Sequence, residues 1–160
     1  MTIKVGDSVP AVKVTQAAAD GNKELDTAAF FAGKTVVLFG VLGAFTPTCS
    51  AKHLPSFTQN AAALRAKGVD AIACLAVNDA FVMGAWAKDQ KTLGKVRMFG
   101  DGSAAWTKAL GLELDLVAKG MGVRMQRFSM LVQDGVIKTL NIEGPGKFEV
   151  SNAETMLAQA

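Results

Sequence analysis

The chain has no tyrosine, one histidine, two cysteines and four prolines among its 160 residues. Each scarcity closes off a class of function. With no tyrosine and aromatics at 7%, no stacking platform for nucleic acid is visible. The formal charge of +3 is too mild for a phosphate-backbone binder, although it can attract an acidic partner protein. One histidine and two scattered cysteines lack the ligands for a zinc site, so no metal is expected. There is no Cys-x-x-Cys pair, which argues against a general dithiol oxidoreductase. No apolar run approaches the ~18 residues that span a bilayer. The N-terminus Met1-Thr-Ile-Lys-Val-Gly-Asp7 shows no apolar leader core, so neither a membrane nor a nucleic acid is an expected partner. The expected address is cytoplasmic, and in that reducing compartment cysteines are more often functional or buried than paired.

What is present is a globular composition, 50% hydrophobic and 19% charged. Neither a repeat nor a low-complexity linker divides it, so residues 1–160 read as one domain. Short strands around Val9 to Val14 and a capped helix near Leu25 to Phe31 are expected first. Thr35-Val-Val-Leu-Phe-Gly-Val41 is a continuous β-branched and aromatic run that suits a strand covered on both faces. A loop from Gly43 to Pro47 leads to a helix over about 48–67, with a kink expected at Pro55. Val69 to Val77 reads as a second buried strand, and Asn78-Asp79 caps a helix to about Lys88. A short strand (95–99) and a short helix (104–110) follow. Arg127 to Gln133 and Val136 to Asn141 pair around Asp134-Gly135. A closing helix runs over about 152–157. The alternation predicts an α/β fold with a mixed central sheet flanked by helices, in the order of elements of the thioredoxin-like fold.

Cys49 carries the chemistry. It lies two residues after Pro47, a residue favoured in a first helical turn. Unpaired N–H groups and the positive end of the helix dipole favour thiolate there. Ionisation alone gains at most roughly two orders of magnitude in rate, so a fast thiol nucleophile also needs donors aimed at the charge that develops on its substrate. Candidates are the Thr46 hydroxyl, the Cys49 backbone N–H and Arg127, whose guanidinium is a fixed fork of donors at the head of an apolar strand. The bland alternative is an inert buried cysteine. Against it stands the Gly43-Ala-Phe-Thr-Pro-Thr48 loop, which puts this sulfur at the carboxyl end of a buried strand, where open α/β sheets place their sites.

The stretches Val36-Val-Leu-Phe-Gly-Val-Leu-Gly-Ala-Phe-Thr-Pro-Thr-Cys-Ser-Ala-Lys-His-Leu-Pro55, Val77-Asn-Asp-Ala-Phe-Val-Met-Gly-Ala-Trp86 and Arg127-Phe-Ser-Met-Leu-Val-Gln-Asp-Gly135 occur in one order along the chain. Together they resemble the peroxiredoxins, and within them the atypical type II group. The resemblance implies a thioredoxin-like fold and reduction of hydrogen peroxide and organic hydroperoxides through a cysteine that cycles via sulfenic acid. By position, Cys49 is similar to the family's peroxidatic cysteine, Thr46 to its hydroxyl donor, Pro47 to the shield over the site and Arg127 to the activating arginine. Glutathione, glutaredoxin or thioredoxin would regenerate the thiol. No cofactor is implied, and a homodimer around the active-site loops is. One departure stands out: Leu42 occupies the place of a family proline, which should loosen the loop entry.

Cys74 matches the second cysteine of plant type II members, whereas the mammalian C-terminal position is Ser151. Mid-strand in Ile72-Ala-Cys-Leu-Ala-Val77, Cys74 is equally suited to structure, so resolving and structural readings both stand. His53, four residues after Cys49 on one helical face, reads as a structural hydrogen-bonding partner near the site rather than a catalytic base. Phe45 lines or fills the substrate mouth beside Gly43. Phe81, Val82 and Trp86 form either core or a dimer face. Gly120-Met-Gly122 with Lys119, Arg124 and Arg127 reads as a solvated loop rather than a phosphate cradle. A redox sensor or binding module built on Cys49 is the competing class, and it would react once without turning over.

Overall fold

Thr35–Gly40, six residues without a charge, form the strand from which the 43–47 loop departs. The computed structural model describes residues 2–18, 20–92 and 94–160. Strands β1 (Lys13–Ala17) and β2 (Lys23–Asp26) lead into helix α1 (Thr27–Phe31), β3 (Thr35–Gly40) and helix α2 (Leu54–Ala66). Strand β4 (Ala71–Ala76), helix α3 (Ala80–Gln90), strand β5 (Arg97–Gly100) and helix α4 (Ala105–Leu110) continue the alternation. Strands β6 (Glu113–Leu116), β7 (Gly122–Met125), β8 (Phe128–Gln133) and β9 (Val136–Ile142) precede helix α5 (Ala153–Gln159).

Seven strands form one sheet in the order β2-β1-β5-β4-β3-β8-β9. The central trio β3, β4 and β5 is parallel and the flanking pairs are antiparallel. This is the mixed sheet of a thioredoxin-like α/β fold, as the alternation of elements predicts. All six residues of β4 are buried, which explains its unbroken apolar composition. On one face Phe39, Phe57, Leu64, Cys74 and Trp86 pack with α2, α3 and α5. On the other, Phe31, Leu38, Phe99, Trp106 and Phe128 pack with α1 and α4. A fully buried side chain of this size contributes about 1.5–3 kcal/mol.

Several expectations need correction. The first strand starts at Lys13 rather than Val9, because Pro10 cannot donate to a ladder. The polar strand β2 was not anticipated. Residues 113–125, read partly as a solvated loop, form a two-stranded hairpin, β6 with β7. The helix after the 43–47 loop departs from a regular α ladder just ahead of Pro55. It opens instead as a π-helical turn, Cys49–His53, closed by Leu54 N–H to the Cys49 carbonyl. Pro55 supplies the reason: it has no N–H to donate, and its ring crowds the carbonyl four residues back, so the ladder widens ahead of it.

Candidate active site

The loop after β3 turns sharply at Phe45, a non-glycine residue in the left-handed region with φ 65°. Such a conformation is held by its surroundings at a cost of about 1–3 kcal/mol. Ala44 N–H donates to Asn78 Oδ1 at 2.9 Å, tying the loop to the turn before α3. The first helical bond runs from Ser50 N–H to the Thr46 carbonyl at 3.0 Å. Thr46 therefore caps the helix, Pro47 is its first residue and Cys49 stands in the first turn, as the sequence predicts.

Cys49 is completely buried. Arg127, only 7% exposed, lies just before β8 and donates from Nη2 to Cys49 Sγ at 3.2 Å. Its Nη1 donates to His53 Nδ1 at 2.9 Å. Because a guanidinium can only donate, Nδ1 is an acceptor, so the imidazole proton sits on Nε2 and is donated to the Ser151 carbonyl at 3.0 Å. Phe39, Phe57 and Phe148 surround the imidazole with ring centroids 4.9–5.7 Å away. Burial, reinforced by the Arg127 charge, lowers the His53 pKa to about 3. It is thus a neutral acceptor that holds one end of Arg127. The π turn brings both Cys49 and His53 to face this one guanidinium.

Thr46 Oγ1 donates its single proton to the Gly43 carbonyl at 2.7 Å. What it offers a substrate is therefore an oxygen lone pair, not the donor expected from sequence. Pro47 is exposed and Gly43 buried, while Phe45 stands 53% exposed at the loop tip. Arg124 on β7 donates from Nε to the Met121 carbonyl at 2.9 Å and from Nη1 to the Leu42 carbonyl at 3.4 Å. The hairpin thus braces the loop entry at Leu42.

Cys74 lies mid-β4 with Phe39 and Met98 as its ladder neighbours, in the same apolar layer as Cys49. It is fully buried, and burial, with Cys49 nearby, pushes its thiol well above the ordinary value. Both cysteines are free. Trp86 is buried and donates to Ser50 Oγ at 3.0 Å, whereas Phe81 is 80% exposed, so the expected face divides into a packed part and an open one. Sequence reasoning missed Glu143, whose carboxylate accepts from Glu149, Val150 and Ser151, and Phe148 against His53. Nothing in a lone glutamate before Gly144-Pro145-Gly146 advertises those long-range partners. Among the described residues, no three His, Cys, Asp or Glu side chains converge as a metal site would require.

The site is thus a buried, arginine-clasped cysteine beyond the carboxyl end of a central strand. The redoxin family model matches residues 4–157. Peroxiredoxin-2B of Arabidopsis thaliana is 49% identical over 158 residues, covering 97% of this chain and 96% of that protein. The chloroplastic Peroxiredoxin-2E-2 of Oryza sativa subsp. japonica is 52% identical over 162 residues, covering 98% and 72%. The crystal structure of reduced Prx3 from Vibrio vulnificus in complex with hydrogen peroxide superposes with a TM-score of 0.95 at 49% identity, covering 99% of both chains. The chain belongs to the peroxiredoxins, the thiol-dependent peroxidases.

Proposed function

We propose that Cys49 is the peroxidatic nucleophile, with Arg127 and Thr46 fixing the hydroperoxide against it. The observation that carries this reading is the Arg127 guanidinium. It is buried, forms no ion pair with a carboxylate among the described residues, and spends a donor on the Cys49 sulfur. A buried cation without a counterion costs several kcal/mol, and the charge that answers it is the one sulfur carries as thiolate.

The thiolate attacks the terminal oxygen of ROOH. An S–O bond forms as the O–O bond breaks, and the electron pair leaves on RO⁻, which takes a proton and departs as alcohol or water. Arg127 stabilises the developing charge on the oxygens, while the Thr46 oxygen accepts from the peroxide O–H. The sulfenic acid then condenses with an external thiol, forming a disulfide and releasing water. A second thiol displaces the first and restores Cys49. Glutathione, glutaredoxin or thioredoxin supplies these thiols.

Cys74 does not resolve the sulfenic acid on this reading. Its burial at the centre of the sheet and its raised pKa both oppose attack as thiolate. Pro47 shields the sulfur, Gly43 and Phe45 shape the mouth, and His53 holds Arg127. Residues 1–160 act as one domain in a reducing compartment, the cytoplasm, which suits two free thiols. A homodimer forms around the active-site loops, covering Phe45 and Phe81.

The test is the intact mass after one equivalent of hydrogen peroxide, beside Cys49→Ser, followed by turnover with excess thiol. Gain of one oxygen confined to Cys49, then many turnovers, is expected, and Arg127→Ala should cost about 10²–10³ in rate. A Cys49 that stays a free thiol sinks the assignment. Reaction that stops after one event identifies a sensor.

A further inference from the structure

Between the end of β9 and the start of α5 the chain runs as a strap over the arginine without regular structure. Gly144-Pro145-Gly146 begins it, Phe148 lies over His53 at 4.9 Å and over the Arg127 guanidinium at 5.9 Å, and Ser151 ends it. One buried carboxylate holds it. Glu143 is 6% exposed, and its Oε2 accepts from the backbone N–H groups of Glu149, Val150 and Ser151, each at 2.8 Å, and from Ser151 Oγ at 2.7 Å. Successive N–H groups converging on one oxygen form a concave nest that requires an anion. Burial pulls the Glu143 pKa up, but the bonds from Ser151, Val150 and Glu149 outweigh it and hold the group below its usual value.

Two routes lead from this glutamate to the arginine. Directly, Glu143 N–H donates to the Arg127 carbonyl at 2.9 Å, extending the β8–β9 ladder. Through the strap, its carboxylate fixes Ser151, whose carbonyl takes the His53 Nε2 proton and so orients Nδ1 towards Arg127 Nη1. The far end of the same guanidinium meets Cys49 Sγ. We propose that Glu143 is a positioning residue for peroxide reduction: it sets the orientation of Arg127 at the sulfur through Ser151 and His53 while touching neither sulfur nor substrate. The proposal rests on the reading of Arg127 given above. A neutral glutamine cannot replace the carboxylate, because an amide oxygen carries too little charge for four donors and its NH₂ brings two more.

The experiment compares Glu143→Gln, Ser151→Ala, Arg127→Ala and the double variant Glu143→Gln/Arg127→Ala in the full chain. Two rate constants are read for each: oxidation of Cys49 by hydrogen peroxide, and its alkylation by iodoacetamide, an electrophile that needs no donor at a peroxide oxygen. For Glu143→Gln, the ratio of peroxide to alkylation rate should fall by about ten- to a hundredfold, as displaced catalytic groups do. Ser151→Ala, which removes one of four bonds, should shift the ratio in the same direction by less, and it gives the answer if Glu143→Gln does not fold. In the Arg127→Ala background Glu143→Gln should change the ratio by less than about twofold, since it acts through that arginine.

A folded Glu143→Gln with the wild-type ratio overturns the proposal. So does an equal loss in both backgrounds, which marks a general effect on the fold. If Arg127→Ala itself retains the wild-type ratio, the reading of Arg127 fails and the proposal with it. If Arg127→Ala is slow and Glu143→Gln is not, only the role of Glu143 is lost.

Discussion

Arg124 Nη1 occupies the space that a β-carbon on Gly43 would fill. The glycine is needed here for close approach: the guanidinium reaches past it to the Leu42 carbonyl at 3.4 Å. The β6–β7 hairpin thus braces the entry to the loop. Because the atom in the way is the far end of a flexible arginine, Gly43→Ala should displace that head group and cost at most about 1 kcal/mol. Arg124→Ala in the same chain should recover most of that loss. Urea midpoints of both single variants and the double variant check this, and additive losses would show that the two positions do not meet.

The neutral state of His53 sets an acid limit on stability. Its folded pKa is depressed to about 3 against an ordinary 6.5, so the unfolded chain binds the proton first. Its contribution is complete above pH 6.5 and is lost as pH falls from there towards 3. The slope should be about 1.4 kcal/mol per pH unit. His53→Gln should flatten the pH dependence of the unfolding free energy in that window, and an unchanged slope would assign the acid sensitivity elsewhere.

Cys74→Ala should leave peroxidase turnover with an external thiol within about twofold of the wild type. Its cost should appear in stability, at about 1 kcal/mol for a small buried truncation. An intramolecular disulfide in the peroxide-treated wild type, absent from Cys74→Ala, would return this cysteine to the resolving role.

Phe81→Asp tests the dimer. An 80% exposed phenylalanine contributes little to the folding of a monomer, so the variant should remain folded. Sedimentation velocity should show the wild type as a dimer and the variant shifted to monomer. A monomeric wild type ends the proposal.

The parts of this molecule written in local composition were legible in its sequence. The apolar runs at Thr35 and Ala71 predict the central parallel strands, and Pro47 predicts a helix start two residues before Cys49. Arg127 was also within reach, as a lone cation heading an apolar strand. Strand β2, Lys23-Glu-Leu-Asp26, hides because an edge strand is charged by design against stray pairing. The hairpin is different: Glu113-Leu-Asp-Leu116 has the period-two alternation of a strand, but four residues are too short a run to stand out beside the glycines that follow. The Glu143 network had no comparable signal. Three of its four donors are backbone N–H groups six to eight residues away, and backbone groups look alike in every sequence.

The bond from Trp86 Nε1 to Ser50 Oγ sets one of the chain's two indoles beside the residue that follows the reactive sulfur. The other, Trp106, is buried in the opposite apolar layer, across the sheet. The protein thus carries its own optical gauge. On the proposed role of Cys49, oxidation there that disturbs the π turn would alter the surroundings of one fluorophore and spare the other, so emission would follow the cycle without any attached label.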